Sequence, residues 1–332
     1  MTSETFGVPQ PIFGYGIYCI TGRSNVPLAE AVGSVLSVPV KVVTDRFADK
    51  EISCQIPDCI RGADVFIIQS ICPPDVNSAL MEILIMTDAA RRASAKRVTA
   101  VIPYLGYSRQ DRKAEPRTAI SAKLVCDLLV TAGVDRVISL ELHNFSIQGF
   151  FSSRTPLDTI YASSLFASYI STYFSDLSNV ALVSPDVGGI VRTRQIAKIL
   201  DCPIALIDKR RPAPNVCEVV NVIGDVSNKV CVLVDDIVDT ANSLCNAASA
   251  LIEKGALSVF AAVAHAILSY PAVDRIRRSP LQKLFVTDSI PVNKSIISES
   301  GDKIVVVSCA DLVAKSINVV HYEQSMSEVL PL

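Results

Sequence analysis

Short runs of Val, Ile and Leu alternate with stretches of helical periodicity along most of the chain. "ADVFIIQS" (63–70) is an unbroken apolar run of strand length, and "NSALMEILIMTDAARRAS" (77–94) repeats its apolar positions at helical spacing. "RVTAVIPYLGY" reads as a strand, "SAKLVCDLLVTAG" as a helix closed by Gly133, and "DRVISLELH" as a strand again. After the helical stretch "SLFASYISTYF" the alternation resumes. Strand "VALVS", helix "IVRTRQIAKIL", strands "PIALID" and "VCVLVDD", helix "SLCNAASALIEKG" and strand "SVFAAVAHA" follow in turn. Strands that are apolar at every position, rather than at alternate ones, are covered on both faces. The pattern therefore predicts an α/β protein with mainly parallel sheets flanked by helices. "FFSSRTPLD" breaks the alternation near Phe151 to Pro156, which predicts two α/β domains, 12–155 and 156–332. The two halves look alike in architecture, although no residue-level repeat is visible.

Composition narrows the possibilities. With 332 residues, half of them hydrophobic, the chain can build one large or two medium cores. A net charge of −2 argues against broad binding of nucleic acid or of an anionic membrane. The start, "MTSETFGVPQ", lacks the basic and apolar regions of a signal peptide, and the later apolar stretch "VFAAVAHAIL" is too short to span a bilayer. Ten cysteines without a CxxC pair or a zinc-type spacing read as buried, reduced thiols of a cytoplasmic protein.

In doubly wound sheets ligands collect beyond the carboxyl ends of the strands, so chemistry is sought there. "VDDIVDTANSL" carries Asp235, Asp236 and Asp239, then Thr240, Asn242 and Ser243 at the start of a helix. Carboxylates accept hydrogen bonds from sugar hydroxyls, and a helix N-terminus attracts phosphate, so the stretch describes a ribose phosphate site. A helix cap with a solvated turn would need one Asp or Ser, not three acids. "VSPDVGG" offers Asp186 for a divalent cation and Gly188 and Gly189 for close approach of backbone to an anion, though it also suits an ordinary turn. "IDKRRP" places Lys209, Arg210 and Arg211 where they could neutralise a transferring phosphoryl group, and "SRQDRK" adds Arg109, Gln110 and Asp111. Either could instead be a solvated basic turn. His143 in "LELHNF" has Glu141 two residues away, a pairing that could serve a divalent cation. His265 and His321 read as structural. Neither a P-loop nor a G-x-G-x-x-G motif is present.

These strand ends, in this order, resemble the ribose-phosphate diphosphokinase (phosphoribosyl pyrophosphate synthetase) family. "IRGADVFIIQS", "RRASAKRVTAVIPYLGYSRQDRK", "IQGFF", "VSPDVGG", "IDKRRP" and "VLVDDIVDT" carry the likeness, which spans nearly the whole chain. The resemblance implies two phosphoribosyltransferase-like domains with the active site between them. It implies transfer of a diphosphoryl group from ATP to the C1 hydroxyl of ribose 5-phosphate, dependence on Mg²⁺, and a homo-oligomer built from dimers, often a hexamer. It places Phe47, Asp49 and Glu51 at the adenine, supplied by a neighbouring subunit, with Arg109, Gln110, Asp111, Arg117 and His143 on the rest of ATP. Lys209 and Arg211 become the catalytic cations, and Asp186, Gly188 and Gly189 the pyrophosphate loop. Asp235, Asp236 and Asp239 with Thr240, Ala241, Asn242 and Ser243 become the ribose 5-phosphate site. His143, Asp186, Glu141 and Asp158 become the metal set.

The sequence departs from the family pattern in places. The phosphate loop usually reads Asp-Thr-x-Gly-Thr; here it is Asp239-Thr240-Ala241-Asn242-Ser243. Asn242, of a residue type that tolerates left-handed backbone, is expected to keep the turn. The usual Asp-Leu-His is Glu141-Leu142-His143, and Asp158 is the remaining candidate acid after "IQGFF". Two other readings share these motifs: a non-catalytic associated subunit of the same family, and a phosphoribosyltransferase that consumes the diphosphate product.

Overall fold

The computed structural model describes residues 16–210 and 219–329. The first half contains β1 (Ile17–Thr21), α1 (Val26–Leu36), β2 (Val40–Val42), a hairpin of β3 (Thr44–Arg46) and β4 (Ile52–Cys54), β5 (Asp64–Ile68) and α2 (Val76–Arg92). It continues with β6 (Arg97–Ile102), α3 (Ser121–Ala132), β7 (Arg136–Leu140), β8 (Leu157–Ile160) and α4 (Ser163–Tyr173). These strands form a parallel sheet in the order β2-β1-β5-β6-β7-β8.

The second half contains β9 (Val180–Ser184), α5 (Ile190–Leu200), β10 (Ile204–Arg210), β11 (Val219–Ile223), β12 (Val230–Val238), α6 (Asn242–Glu253) and β13 (Ser258–Ala266). It ends with α7 (Ala272–Arg278), β14 (Leu281–Thr287), α8 (Lys294–Glu299), β15 (Ile304–Val307), α9 (Ala310–His321) and α10 (Met326–Val329). Its sheet runs β11-β10-β9-β12-β13-β14-β15, parallel except for the antiparallel edge strand β11. Apart from the added β11, the two sheets share one strand order.

The elements follow from local chemistry. All five residues of β5 and of β9 are buried, as continuous apolar strands require. Asn25 and Asp75 cap α1 and α2 by accepting hydrogen bonds from the amides of Leu28 and Ser78. Gly133 ends α3 at φ 106°, a left-handed position that glycine adopts without strain.

Two features differ from the expectation. Leu157 and Ile160 bury against β7, so β8 belongs to the first sheet and the change of sheet falls after Ile160, not at 155/156. A four-residue strand after a Ser- and Pro-containing loop is too short to show as a repeat of the pattern. The halves are also less separate than a domain boundary suggests. α4 packs on α5 and α9 packs on α1, so each half's last long helix lies against the other half's first. Leu28, Phe66 and Ile138 share one core with Leu182, Val232 and Phe285. Among the described residues no helix is long and apolar enough to cross a membrane.

Candidate active site

A cavity of about 580 Å³ lies where strand ends from the two halves converge. The loop after β6 brings Arg109, Asp111 and Arg112; the loop after β7 brings His143 and Asn144; the loop after β9 brings Asp186, Gly188 and Gly189; and β12 brings Asp235 and Asp236. The two acids stand inside β12, which outruns its apolar segment to reach Val238; Asp235 is in register with Val263 of β13.

Asp236 is the electrostatic hub. One of its oxygens lies 2.8 Å from His143 Nδ1, and the other 3.7 Å from Arg192 Nη1. Burial opposes ionisation of Asp236, but His143 and Arg192 outweigh it and hold the carboxyl well below the usual range. The same hydrogen bond lifts His143 above the ordinary imidazole value. Asp235 moves the other way: burial, then the neighbouring Asp236 charge, pushes its carboxyl up. One acid is kept anionic and its neighbour is pressed towards the neutral form, which resolves the repulsion of two adjacent carboxylates.

The phosphate loop has a different shape from the one expected. The left-handed residue is Ala241, at φ 58°, while Asn242 is already the first residue of α6. An alanine there carries steric strain of roughly 1–2 kcal/mol. It also leaves α6 without a side-chain cap, so the backbone N–H groups of the first turn lack a partner from Ala241. Arg275 Nη1 donates to Thr240 O at 2.9 Å from behind the loop. Asp239 accepts a bond of 2.7 Å from Arg109 Nη1, a contact joining the two halves. Burial resists ionisation of Asp239, but Ser269 and Arg109 prevail and lower its carboxyl. Its second oxygen is buried without a protein partner. In "VSPDVGG", Asp186 accepts the Gly189 amide at 2.9 Å, and a Cβ on Gly189 would stand 3.0 Å from Ser184 Oγ, so a larger residue would have to shift that hydroxyl.

Several expected site residues do not join this cavity. Glu141 is buried with both oxygens engaged, one by Arg192 Nε at 2.7 Å and one by the Ala162 amide at 3.0 Å, and it does not border the cavity. Asp158 lies on β8 and pairs with Arg136, away from the cavity. Gln110 turns to α3, accepting from Ser121 Oγ at 2.7 Å, and Arg117 does not border the cavity. Phe47, 59% exposed, and Asp49 sit at the tip of the β3–β4 hairpin, and Glu51 borders a separate cavity of about 450 Å³. Lys209 lies in β10 opposite Val220, and Arg211 lies outside the described residues. Among the described residues no three His, Cys, Asp or Glu side chains form a ready metal cluster. His265 is structural as expected: it is buried, with Nε2 2.9 Å from Glu141 O.

The sequence reading missed Arg192 and Asn144. Arg192 is 8% exposed and joins Glu141 to Asp236; Asn144 donates to Asp111. Asn144 directly follows His143 and could have been found; an arginine inside a helix carries no such signal.

Comparison with known proteins identifies the family. The profile of the N-terminal domain of ribose phosphate pyrophosphokinase matches residues 17–133, and that of the phosphoribosyl synthetase-associated domain matches residues 184–330. The ribose-phosphate pyrophosphokinase of Agrobacterium fabrum is 52% identical over 307 residues, 92% of this chain and 97% of its own. That of Rhizobium meliloti is 50% identical over 309 residues, 93% of this chain and 98% of its own. The crystal structure of phosphoribosylpyrophosphate synthetase from Mycobacterium smegmatis superposes with a TM-score of 0.84 at 37% identity, covering 92% of this chain and 99% of that one. The chain belongs to the ribose-phosphate pyrophosphokinase family.

Proposed function

We propose that this protein transfers the β,γ-diphosphoryl group of ATP to the C1 hydroxyl of ribose 5-phosphate, releasing AMP. The observation that carries the reading is the composite cavity, with cations of the first half facing acids of the second. The bond formed joins the C1 oxygen to the β-phosphorus, and the bond broken joins that phosphorus to the oxygen retained by AMP.

Arg109 and Arg112 offer guanidinium donors to the polyphosphate. Asp235 accepts from the ribose hydroxyls, and the uncapped start of α6 receives the 5-phosphate. Lys209 and Arg211 stabilise the charge developing on the moving group. Their support is placement: β10 runs parallel beside β9, so Lys209 lies towards the same sheet end as Asp186. Mg²⁺ fits the donor set in a limited way. It keeps waters and binds substrate phosphates through one or two protein carboxylates, so the lack of a closed cluster suits it. Asp186 and His143 would hold it beside ATP, where it would neutralise phosphate charge.

The adenine site is assigned to Phe47, Asp49 and Glu51 of a second copy, because none of the three borders the cavity of its own chain. That makes the working form a homo-oligomer. A cytoplasmic location is supported by the nine described cysteines, all of them free thiols.

The test supplies ATP and ribose 5-phosphate and follows AMP and the diphosphorylated sugar by ³¹P NMR. ADP as the product would refute the diphosphoryl transfer. Binding of ribose 5-phosphate without AMP formation would identify an associated subunit, and consumption of the diphosphorylated sugar with a free base would identify a phosphoribosyltransferase.

A further inference from the structure

We propose that Glu141 and Arg192 are a positioning pair, which fixes Asp236 and through it the ring of His143, and that Glu141 holds no metal. The inference rests on reading the cavity as the transfer site.

Glu141 is 1% exposed, and both carboxylate oxygens are occupied by Arg192 Nε and the Ala162 amide. A metal ligand must instead offer a lone pair to the solvated space where ATP binds. Arg192 is equally constrained. Its Nε faces Glu141 at 2.7 Å, its Nη2 lies 3.4 Å from Leu142 O, and its Nη1 lies 3.7 Å from Asp236. A guanidinium is a rigid planar fork, so fixing Nε fixes the direction in which Nη1 is offered. Asp236 divides its two oxygens between Arg192 and His143 Nδ1, which leaves His143 Nε2 for the ligand.

The backbone supports the same role. Glu141 has φ 45°, in the left-handed region that a glutamate rarely adopts. Such strain persists where the surroundings over-determine it. Here the Glu141 amide donates to Ile160 O at 2.9 Å, and its carbonyl accepts from His265 Nε2 at 2.9 Å. The second half provides an internal control. Asp288 follows β14 as Glu141 follows β7, and it accepts the Cys309 amide at the start of α9 as Glu141 accepts that of Ala162 at the start of α4. Asp288 is bonded by Ser308 and Cys309 and by no arginine in its described contacts. Capping the terminal helix is therefore the structural part common to both halves. The arginine is what the arrangement around Glu141 adds.

Glu141→Gln tests this, because the amide oxygen can still accept from Ala162 while the charge facing Arg192 is gone. Arg192 then loses its hydrogen-bonded carboxylate and turns to Asp236, its other ion-pair partner among the described residues, so Asp236 is drawn from His143. We expect turnover to fall by about 10–100-fold, as for other groups that orient a ligand-binding histidine. Arg192→Lys should do the same, and the double variant should be no worse than Arg192→Lys alone, because both act through one path. Glu141→Asp keeps the charge and should recover part of the rate. The ring nitrogens of the three histidines, read by ¹⁵N NMR without substrate or metal, supply a readout that needs no activity. His143 should shift in Glu141→Gln while His321, which pairs with Asp64 on β5 at 2.8 Å, stays put, which also shows that the fold is intact. Unchanged His143 signals would overturn the proposal. So would additive losses with a raised Mg²⁺ requirement, the signature of a direct metal ligand. The NMR result holds even if no diphosphorylated sugar is formed, so it fails or succeeds separately from the proposed function.

Discussion

In the first half β5 begins at Asp64 and α2 at Val76; in the second β12 begins at Val230 and α6 at Asn242. The strand-to-helix interval is the same, 76 − 64 and 242 − 230 both being 12. Gln69 and Ser70 thus stand where Asp235 and Asp236 stand, and Asp75 stands where Ala241 stands. In the first half the place of these two acids is filled from within. Gln69 bonds the buried Glu82, which also accepts the Arg23 amide at 3.0 Å, and Ser70 Oγ donates to Ser289 O across the interface between the halves. Asp75 caps its own helix, accepting from the Ser78 amide at 3.1 Å. In the second half no residue caps α6, and the acids face a cavity. A helix N-terminus is an anion site only while its own chain leaves it open. One scaffold therefore leaves an open helix start in one half and builds an internal joint in the other.

The strongest way to break the comparison is to give the second half the first half's cap. Ala241→Asp puts a carboxylate where the 5-phosphate is received, and like-charge juxtaposition costs several kcal/mol. The Michaelis constant for ribose 5-phosphate should rise on the order of 100-fold, about 2.7 kcal/mol, with little loss of melting temperature. An unchanged constant would place the phosphate elsewhere.

A second test uses the joint itself, where Tyr104 and His265 pack at 4.9 Å. Burial lowers the proton affinity of His265 below its ordinary value of 6.5. Below that pH the unfolded chain binds the extra proton, so stability is complete above about 6.5 and falls on acidification, by at most about 1.4 kcal/mol per pH unit. His143 contributes with the opposite sign, because its affinity is raised, and loses its contribution as pH rises. Denaturant melts between pH 5.5 and 7 should show the slope in the wild type and a flatter one in His265→Gln. An identical slope in both would exclude His265 as its source.

Asp75→Ala removes the cap of the first half and should cost about 1 kcal/mol in the same melts, with the ribose 5-phosphate constant unchanged. New phosphate binding at α2 would show that the cap alone separates the two loops. The smallest effect is expected from Ala241→Gly. Relief of the left-handed strain, less the added freedom of the unfolded chain, should stabilise by under about 1 kcal/mol and leave the substrate constant level or lower. A marked rise would mean that the alanine methyl shapes the cradle.

Apart from β8 and β11, the strands and helices between residues 63 and 266 were legible because burial on both faces forces apolar residues into consecutive strand positions. The site acids Asp186, Asp235 and Asp236, and with them Arg109, Asp111 and His143, were legible because polar clusters at the ends of such strands are unusual. Glu141 and Asp158 were misplaced. Spacing along a strand end says which residues are neighbours in the chain, not which atoms they meet. Ala241 rather than Asn242 took the left-handed turn because the start of a helix cannot be located to one residue from composition.

What the sequence determined by itself was the alternation of elements and the chemistry carried to the strand ends, both local properties written in consecutive residues. What only the tertiary structure decided was whose partner each charge became. Arg192 reads as one more basic residue of an amphipathic helix. It becomes a buried clamp because α5 packs against α4, bringing its inner face onto Glu141 and Asp236, which lie 51 residues before it and 44 after it. Burial there leaves the guanidinium little water to face, so its geometry is set by the carboxylates that the fold delivers.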